Sequence, residues 1–296
     1  MSQEGIDESR QRRVEVPFSA GTAPPHLVMP PDATDCHHHI FDPRFPRALG
    51  RTGIWATVDD YRKLKQRLGF MRSVVVAPAS YGFDNTALLD ALAQLKQEAR
   101  GVVVARAEVD DAQLELWHAA GVRGIRVYLE GPLKLAPAEM TELAHKIAPL
   151  GWHLQLLADR NSGLLEANEG AWRTLPCPLV LDHLAHVPQP EGVRHARMST
   201  LKRLLDGGRT WVKLSGVYIT SHEGPPHYND VNEVARALVE AAPDRVLWGT
   251  DWPHTLAKEV KPDGAWLADQ LSSWVSTAEQ IKCILVDNPT RLYWTR

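Results

Sequence analysis

Three cysteines, Cys36, Cys177 and Cys283, are all that the 296 residues contain. They lie far apart and form no CxxC pair, which removes a disulfide framework and a paired-cysteine redox or zinc motif. Basic excess is missing too: 33 Lys and Arg face 36 Asp and Glu, a formal net charge of -3. A nucleic-acid partner needs a basic stripe, and neither sign dominates any segment. No apolar run approaches a membrane span, and none of signal-peptide length follows Arg12-Arg13. A cytoplasmic compartment with reduced thiols is therefore expected. No glycine-rich phosphate turn follows the first strand, which disfavours an open dinucleotide-binding sheet. Low complexity and mid-chain linkers are absent as well.

What is present is an ordinary globular composition, 44% hydrophobic and 23% charged, enough to bury a sizeable core. Residues 1–28 read as an N-terminal arm and 29–296 as one catalytic domain. From Thr34 onward, strands and helices alternate. Strands are expected at Thr34–Ile40, Ser73–Ala77, Val102–Ala105, Gly124–Tyr128, Trp152–Leu157, Leu179–His183, Trp211–Ser215 and Arg245–Asp251. Their continuous apolar runs suit strands buried on both faces. Helices are expected between them, among them 57–68, 85–98, 164–175 and 229–242, with two more at 265–274 and 278–286. Eight β/α units make a closed (β/α)8 TIM barrel the best fit, about 250 residues plus an arm.

In such a barrel, catalytic side chains sit at the C-terminal ends of the strands. That rule collects His37 and His39 from strand 1, Ser80 and Tyr81 after strand 2, and Arg126 with Tyr128 on strand 4. It adds Gln155 or Asp159 near strand 5, His183 at strand 6, Ser215 and Tyr218 after strand 7, and Asp251 at strand 8. Strand alternation places His37 and His39 on one face, with Cys36, His38 and Ile40 on the other. His254 lies near the upper rim, and Arg160-Asn161-Ser162 reads as a surface turn. Three imidazoles and one carboxylate at strand ends can hold a divalent ion or polarise a carbonyl directly.

The strings DCHHHIFDP, GVRGIRVYL, LVLDHLAH, WVKLSG, LWGTDWPH and NPTRLYW span Asp35 to Trp294 in order. They resemble the amidohydrolase superfamily, in the lactonase branch that holds pyrone dicarboxylate hydrolases, sugar lactonases and galactarolactone isomerases. The resemblance implies hydrolysis of a lactone, a cyclic ester, by water that Asp251 activates, with His37, His39 and His183 stabilising the oxyanion. It also implies a small-molecule lactone partner, with Ser80, Tyr81, Arg126, Tyr128, Gln155, Tyr218 and His254 as its contacts. Strand 4 lacks the bridging Lys or Glu of binuclear members, and strand 5 ends without a histidine. A binuclear centre is not expected. No required cofactor is the favoured reading; one divalent ion such as zinc on His37, His39, His183 and Asp251 is the alternative. Arg126 is the one arginine matching the substrate clamp of the pyrone hydrolases, which points to a lactone with one carboxylate or none. Other readings are a lactone isomerase, a zinc-dependent decarboxylase, and a non-catalytic lactone-binding barrel.

Overall fold

The computed structural model describes residues 13–49, 53–257 and 259–295. Residues 1–12 of the expected arm lie outside them. Eight strands follow one another around a single sheet in the order β1 to β8, each neighbouring pair parallel. They are β1 (Thr34–His38), β2 (Arg72–Val76), β3 (Ala99–Val104), β4 (Val122–Tyr128), β5 (His153–Leu157), β6 (Leu179–Leu181), β7 (Thr210–Leu214) and β8 (Val246–Trp248). Just beyond β8, Asp251 N–H donates to His37 O at 2.8 Å and His39 N–H donates to Trp252 O at 2.8 Å. These two bonds close the sheet on itself. The barrel seam is therefore sewn by the backbone of the motif residues.

The outer layer is α1 (Val58–Leu68), α2 (Thr86–Leu95), α3 (Asp111–Ala119), α4 (Pro137–Ile147), α5 (Leu164–Ala167), α6 (Glu169–Thr174), α7 (Ala196–Asp206), α8 (Asn232–Ala241), α9 (Gly264–Trp274) and α10 (Ala278–Lys282). The first shows why they form. Thr57 accepts from Asp60 N while the Asp60 carboxylate reaches back to Thr57 N, a complete capping box. Val58, Tyr61, Leu64 and Leu68 recur at helical spacing and are buried against the sheet.

The observed elements depart from the expected ones mainly at their ends. The helix expected over 164–175 is interrupted at Asn168, which leaves the helical region and separates α5 from α6. After α10 the chain continues as wide π-type turns over 283–287 and 290–294. Strand β1 ends at His38, so His39 lies beyond it.

The regular alternation expected along β1 also fails, because its register against β2 shifts between Asp35 and His38. His38 does turn outward, stacking on Tyr61 with ring centroids 3.5 Å apart. Cys36 instead packs in one cluster with Val74, Val76, Val102, Val180 and Leu247, drawn from four other strands. Such a set can meet only inside the barrel. The bulge lets both Cys36 and His37 face inward. Tyr293, from the last turn, joins that cluster and meets the start of β5 edge-on at His153, plugging the lower end. Part of the expected arm is held to this body: Arg67 donates to Gly21 O and Ser19 Oγ, and Trp252 Nε1–H donates to Pro17 O. Among the described residues no helix is long and apolar enough to cross a membrane.

Candidate active site

At the C-terminal end of the strands the chain leaves a cavity of about 320 Å³. His39, His183 and Asp251 line it, with Ser80, Arg126 and Tyr128. Asp251 Oδ1 stands 3.6 Å from His37 Nε2, 3.5 Å from His39 Nε2 and 3.9 Å from His183 Nε2. Residues separated by more than two hundred positions thus converge on one carboxylate oxygen.

Each part has a local cause. Asp35, fully buried, accepts from His37 N–H and Thr250 N–H with Oδ1 and from the Tyr61 and Thr250 hydroxyls with Oδ2. It ties the start of the motif pair to the end of β8. Burial pushes its carboxyl up to about 6 in spite of those bonds. Gly249 permits the close approach, since a Cβ there would stand 2.7 Å from His37 Cβ. Asp251 itself has φ of 57°, which throws its side chain back across the pocket floor.

His183 opens a run of four non-glycine residues with φ between 50° and 52°, through Leu184 and Ala185 to His186. Left-handed backbone at such residues costs about 1–2 kcal/mol each. The buried Arg197 offsets this by donating from Nη1 to Ala185 O, His186 O and Asp159 O. The strain turns both imidazoles into the cavity, as left-handed residues at functional sites often do.

The histidines are held at their far nitrogens. His39 Nδ1–H donates to Val76 O at 2.7 Å, which turns its Nε2 toward Asp251. His183 Nδ1 meets Ser215 Oγ at 3.0 Å. Here Gly216 makes room, because a Cβ on it would fall 2.6 Å from that nitrogen. His37 Nδ1 sits between Asp182 Oδ1 at 3.2 Å and Lys213 Nζ at 3.3 Å. Burial lowers the pKa of His37 far below the usual imidazole value, against the charge of Asp182, and lowers that of His183 against the charge of Asp251. Burial acts to raise Asp251, yet the three imidazoles around it hold its carboxyl well below the usual range. Tyr218 donates its hydroxyl to Asp251 Oδ2 at 2.5 Å.

The residues expected to touch substrate divide into two groups. Ser80, Arg126 and Tyr128 line the cavity. Tyr81 does not: its hydroxyl is bound to the backbone of Asp42. Gln155 is fully buried beneath the floor, between Lys213 and Asp182. Tyr218 spends its hydroxyl on Asp251, and His254, also fully buried, packs edge-on against Tyr218. Asp159 caps the turn into α5 and pairs with Arg197, a structural task.

Sequence reasoning passed over Asp182 and Lys213, whose inward register depends on the barrel. It also read Arg160 as a surface turn, whereas Arg160 and Arg47 form part of the cavity wall with Glu130. Counting arginines on the strands alone therefore undercounts the cations near a bound substrate. The loops decide that number, and no strand periodicity reports it.

The donor set also bears on metal binding. His37, His39 and Asp251 place one ligand atom each within 4.8 Å of one another, and so do His37, Asp182 and His183. His39 offers Nε2, its Nδ1 being engaged, and among the described residues the buried His37 Nε2 has no hydrogen-bond partner. Two or three imidazole nitrogens and a carboxylate, each oriented by an outer partner, fit one divalent ion.

Three comparisons with known proteins agree with this geometry. The profile of the amidohydrolase family matches residues 34–294. The chain is 36% identical over 289 residues to the 2-pyrone-4,6-dicarboxylate hydrolase of Comamonas testosteroni, covering 93% of this chain and 94% of that protein. It is 30% identical over 282 residues to the D-galactarolactone isomerase of Agrobacterium fabrum, again covering 93% and 94%. An apo crystal structure from Agrobacterium tumefaciens superposes with a TM-score of 0.85 at 28% identity, covering 94% of this chain and 99% of that one.

Proposed function

The chain belongs to the amidohydrolase family, and on that premise we propose that it hydrolyses a carboxylated lactone with water activated by Asp251. The single observation that carries this is Asp251 Oδ1 set 3.5–3.9 Å from three imidazole Nε2 atoms, those of His39 and His183 in the cavity wall and that of His37 buried just behind it. A carboxylate held ionised by such neighbours, with its second oxygen fixed by Tyr218, is a general base in a fixed orientation. Water bound at Oδ1 attacks the lactone carbonyl carbon as its proton passes to Asp251. The ring C–O bond then breaks, and the same proton goes to the departing ring oxygen. The product is an open hydroxy acid.

Imidazole N–H groups at the floor polarise the carbonyl oxygen and stabilise the oxyanion, a term worth about 10²–10³ in rate per donor in other enzymes. Arg126, Arg47 and Arg160 around the cavity suit an anionic substrate. An anion held by one such guanidinium gains ~1.5–3 kcal/mol per charge-assisted hydrogen bond. Should an ion be bound, His37, His39, His183 and Asp251 are the residues that would hold it, and it would supply a Lewis acid to the carbonyl. The route proposed here needs only the chain's own groups. Activity is accordingly expected to survive chelation, and loss that zinc restores would overturn that point.

The test is a panel of carboxylated and neutral lactones, with ring opening followed by proton release and products identified by NMR. Turnover that Asp251→Asn removes supports the reading. A folded wild-type protein that opens no member of the panel would sink it. Ring-shifted lactones in place of open acids would instead establish isomerisation, the activity that the Agrobacterium fabrum relative is named for. There the substrate's own hydroxyl takes the place of water, helped by its high effective concentration.

A further inference from the structure

Beneath the cavity floor lies a buried cluster that the hydrolytic route leaves without a task. Lys213, on β7, is fully buried and reaches across the barrel axis. An ammonium carries three N–H donors and no acceptor. Around its Nζ stand Gln155 Oε1 at 2.7 Å, His37 Nδ1 at 3.3 Å and Asp182 Oδ1 at 3.7 Å. Gln155 and His37 take two of the three donors at hydrogen-bond distance, and Asp182 balances the charge at 3.7 Å, since a buried ammonium without partners carries a desolvation penalty.

His37 Nδ1 can accept from Lys213 only when the ring hydrogen sits on Nε2. Asp182 competes for the same nitrogen, because an Nδ1–H would be its donor. Its Oδ1 lies 3.2 Å away and its charge favours a hydrogen on Nδ1, but the contact is off the line of a ring N–H, and among the described residues no well-aligned donor meets that oxygen. The other oxygen of Asp182 accepts from Arg126 Nε–H at 3.0 Å and Gln155 Nε2–H at 3.1 Å. The lysine contact has hydrogen-bond geometry and the carboxylate contact does not.

We propose that Lys213 is a positioning residue for lactone opening: by donating to His37 Nδ1 it holds that ring as the Nε2–H tautomer. His37 then presents a hydrogen-bond donor to the oxyanion that forms beside Asp251. Its Nε2 is buried and has no hydrogen-bond partner among the described residues, as a donor kept for substrate would be. His39 is anchored differently, since a carbonyl oxygen holds its Nδ1–H. The two histidines of the pair therefore meet opposite kinds of partner at Nδ1, a donor at His37 and an acceptor at His39. An ion ligated through His37 Nε2 would need the reverse tautomer, with Asp182 in place of Lys213 as partner of Nδ1.

The catalytic part of this role rests on the lactone reading; the tautomer does not. The experiment uses the full chain, as purified and with its metal content measured, labelled with ¹⁵N-histidine. The His37 signals are assigned by comparison with His37→Gln. Nδ1 is expected in the pyridine-type range and Nε2 in the pyrrole-type range. Lys213→Met should reverse or mix the two and lower kcat about 10–100-fold, with KM within about twofold. A wild-type spectrum with the hydrogen on Nδ1, or with His37 Nε2 bound to a stoichiometric ion, would overturn the proposal. So would a folded Lys213→Met protein with wild-type kcat. If that variant does not fold, the wild-type spectrum decides alone. The expected spectrum with no lactone turnover would sink the lactone reading and leave the tautomer in place.

Discussion

Strands β8, β1, β2 and β3 send Leu247, Cys36, Val74, Val76 and Val102 into the barrel, where Val180 of β6 joins them, whereas Arg126, Gln155 and Lys213 enter from β4, β5 and β7 and Asp182 from just beyond β6. The first arc is a hydrophobic wall, each full burial of a Val or Leu worth about 1.5–3 kcal/mol. The second is a charged lattice that loses hydration and regains it only through exact pairing, so it adds little net stability. What the contrast teaches is a division of labour. One arc holds the barrel shut; the other orients His37 from below, 3.2 and 3.3 Å from its Nδ1.

If that division is right, damage to the two arcs should separate stability from turnover. The largest effect falls on the base that faces them both. Asp251→Asn is expected to cut kcat by about 10²–10⁴-fold while the melting temperature stays near that of wild type, read by lactone opening and calorimetry. Asp182→Ala comes next. It leaves Arg126 and Lys213 buried without their shared carboxylate, a loss of about 3–5 kcal/mol by denaturant unfolding, together with loss of activity. In the apolar arc, Leu247→Ala should cost about 2–5 kcal/mol, with kcat per folded molecule preserved. Full activity for the Asp182 variant, or a dead but stable Leu247 variant, would break the comparison.

A smaller effect concerns pH. Asp251 and Asp182 are both held below the ordinary carboxylate range, so the fold favours their ionised forms. Their contribution to stability is present above about pH 3.9 and is lost as pH falls through their lower folded values. Asp35 acts in the opposite sense, because its pKa is raised from 3.8 to about 6 and it favours the fold as pH drops across that window. For catalysis the base stays ionised, and kcat/KM should hold down to about pH 4. An acid limb near neutrality would show that another group controls the rate. Smallest is Arg160→Ala, at the exposed rim of the cavity, expected to raise KM for an anionic lactone by about 3–10-fold with kcat unchanged. An equal rise for a neutral lactone would remove its role in reading charge.

The failures of sequence reading follow the same division. Gln155 was selected for substrate because it lies near the C-terminal end of its strand, but its depth, which places it under the floor, is not written in a period of two. Asp182 was overshadowed by His183, and Lys213 sat in an unremarkable strand. Both matter only because strands β6 and β7 face β1 across the interior. Arg160 belonged to a turn whose composition looked like surface, and the fold of that turn beside His186 brings it to the cavity.

By itself the sequence determined the eight strands and their alternation with helices, the closed eight-unit barrel, and the four residues that meet at the C-terminal end of its strands. Alternating apolar runs and helical spacing are local properties, and strand ends in this fold share one rim. Only the tertiary structure decided which nitrogen of each histidine is engaged, which polar side chains lie below the floor and which loops bring further arginines to it. Those depend on a bulge in β1, a left-handed turn clamped by Arg197 and a buried lysine opposite His37. Each is a contact between distant segments, set by packing and charge pairing that no local pattern encodes.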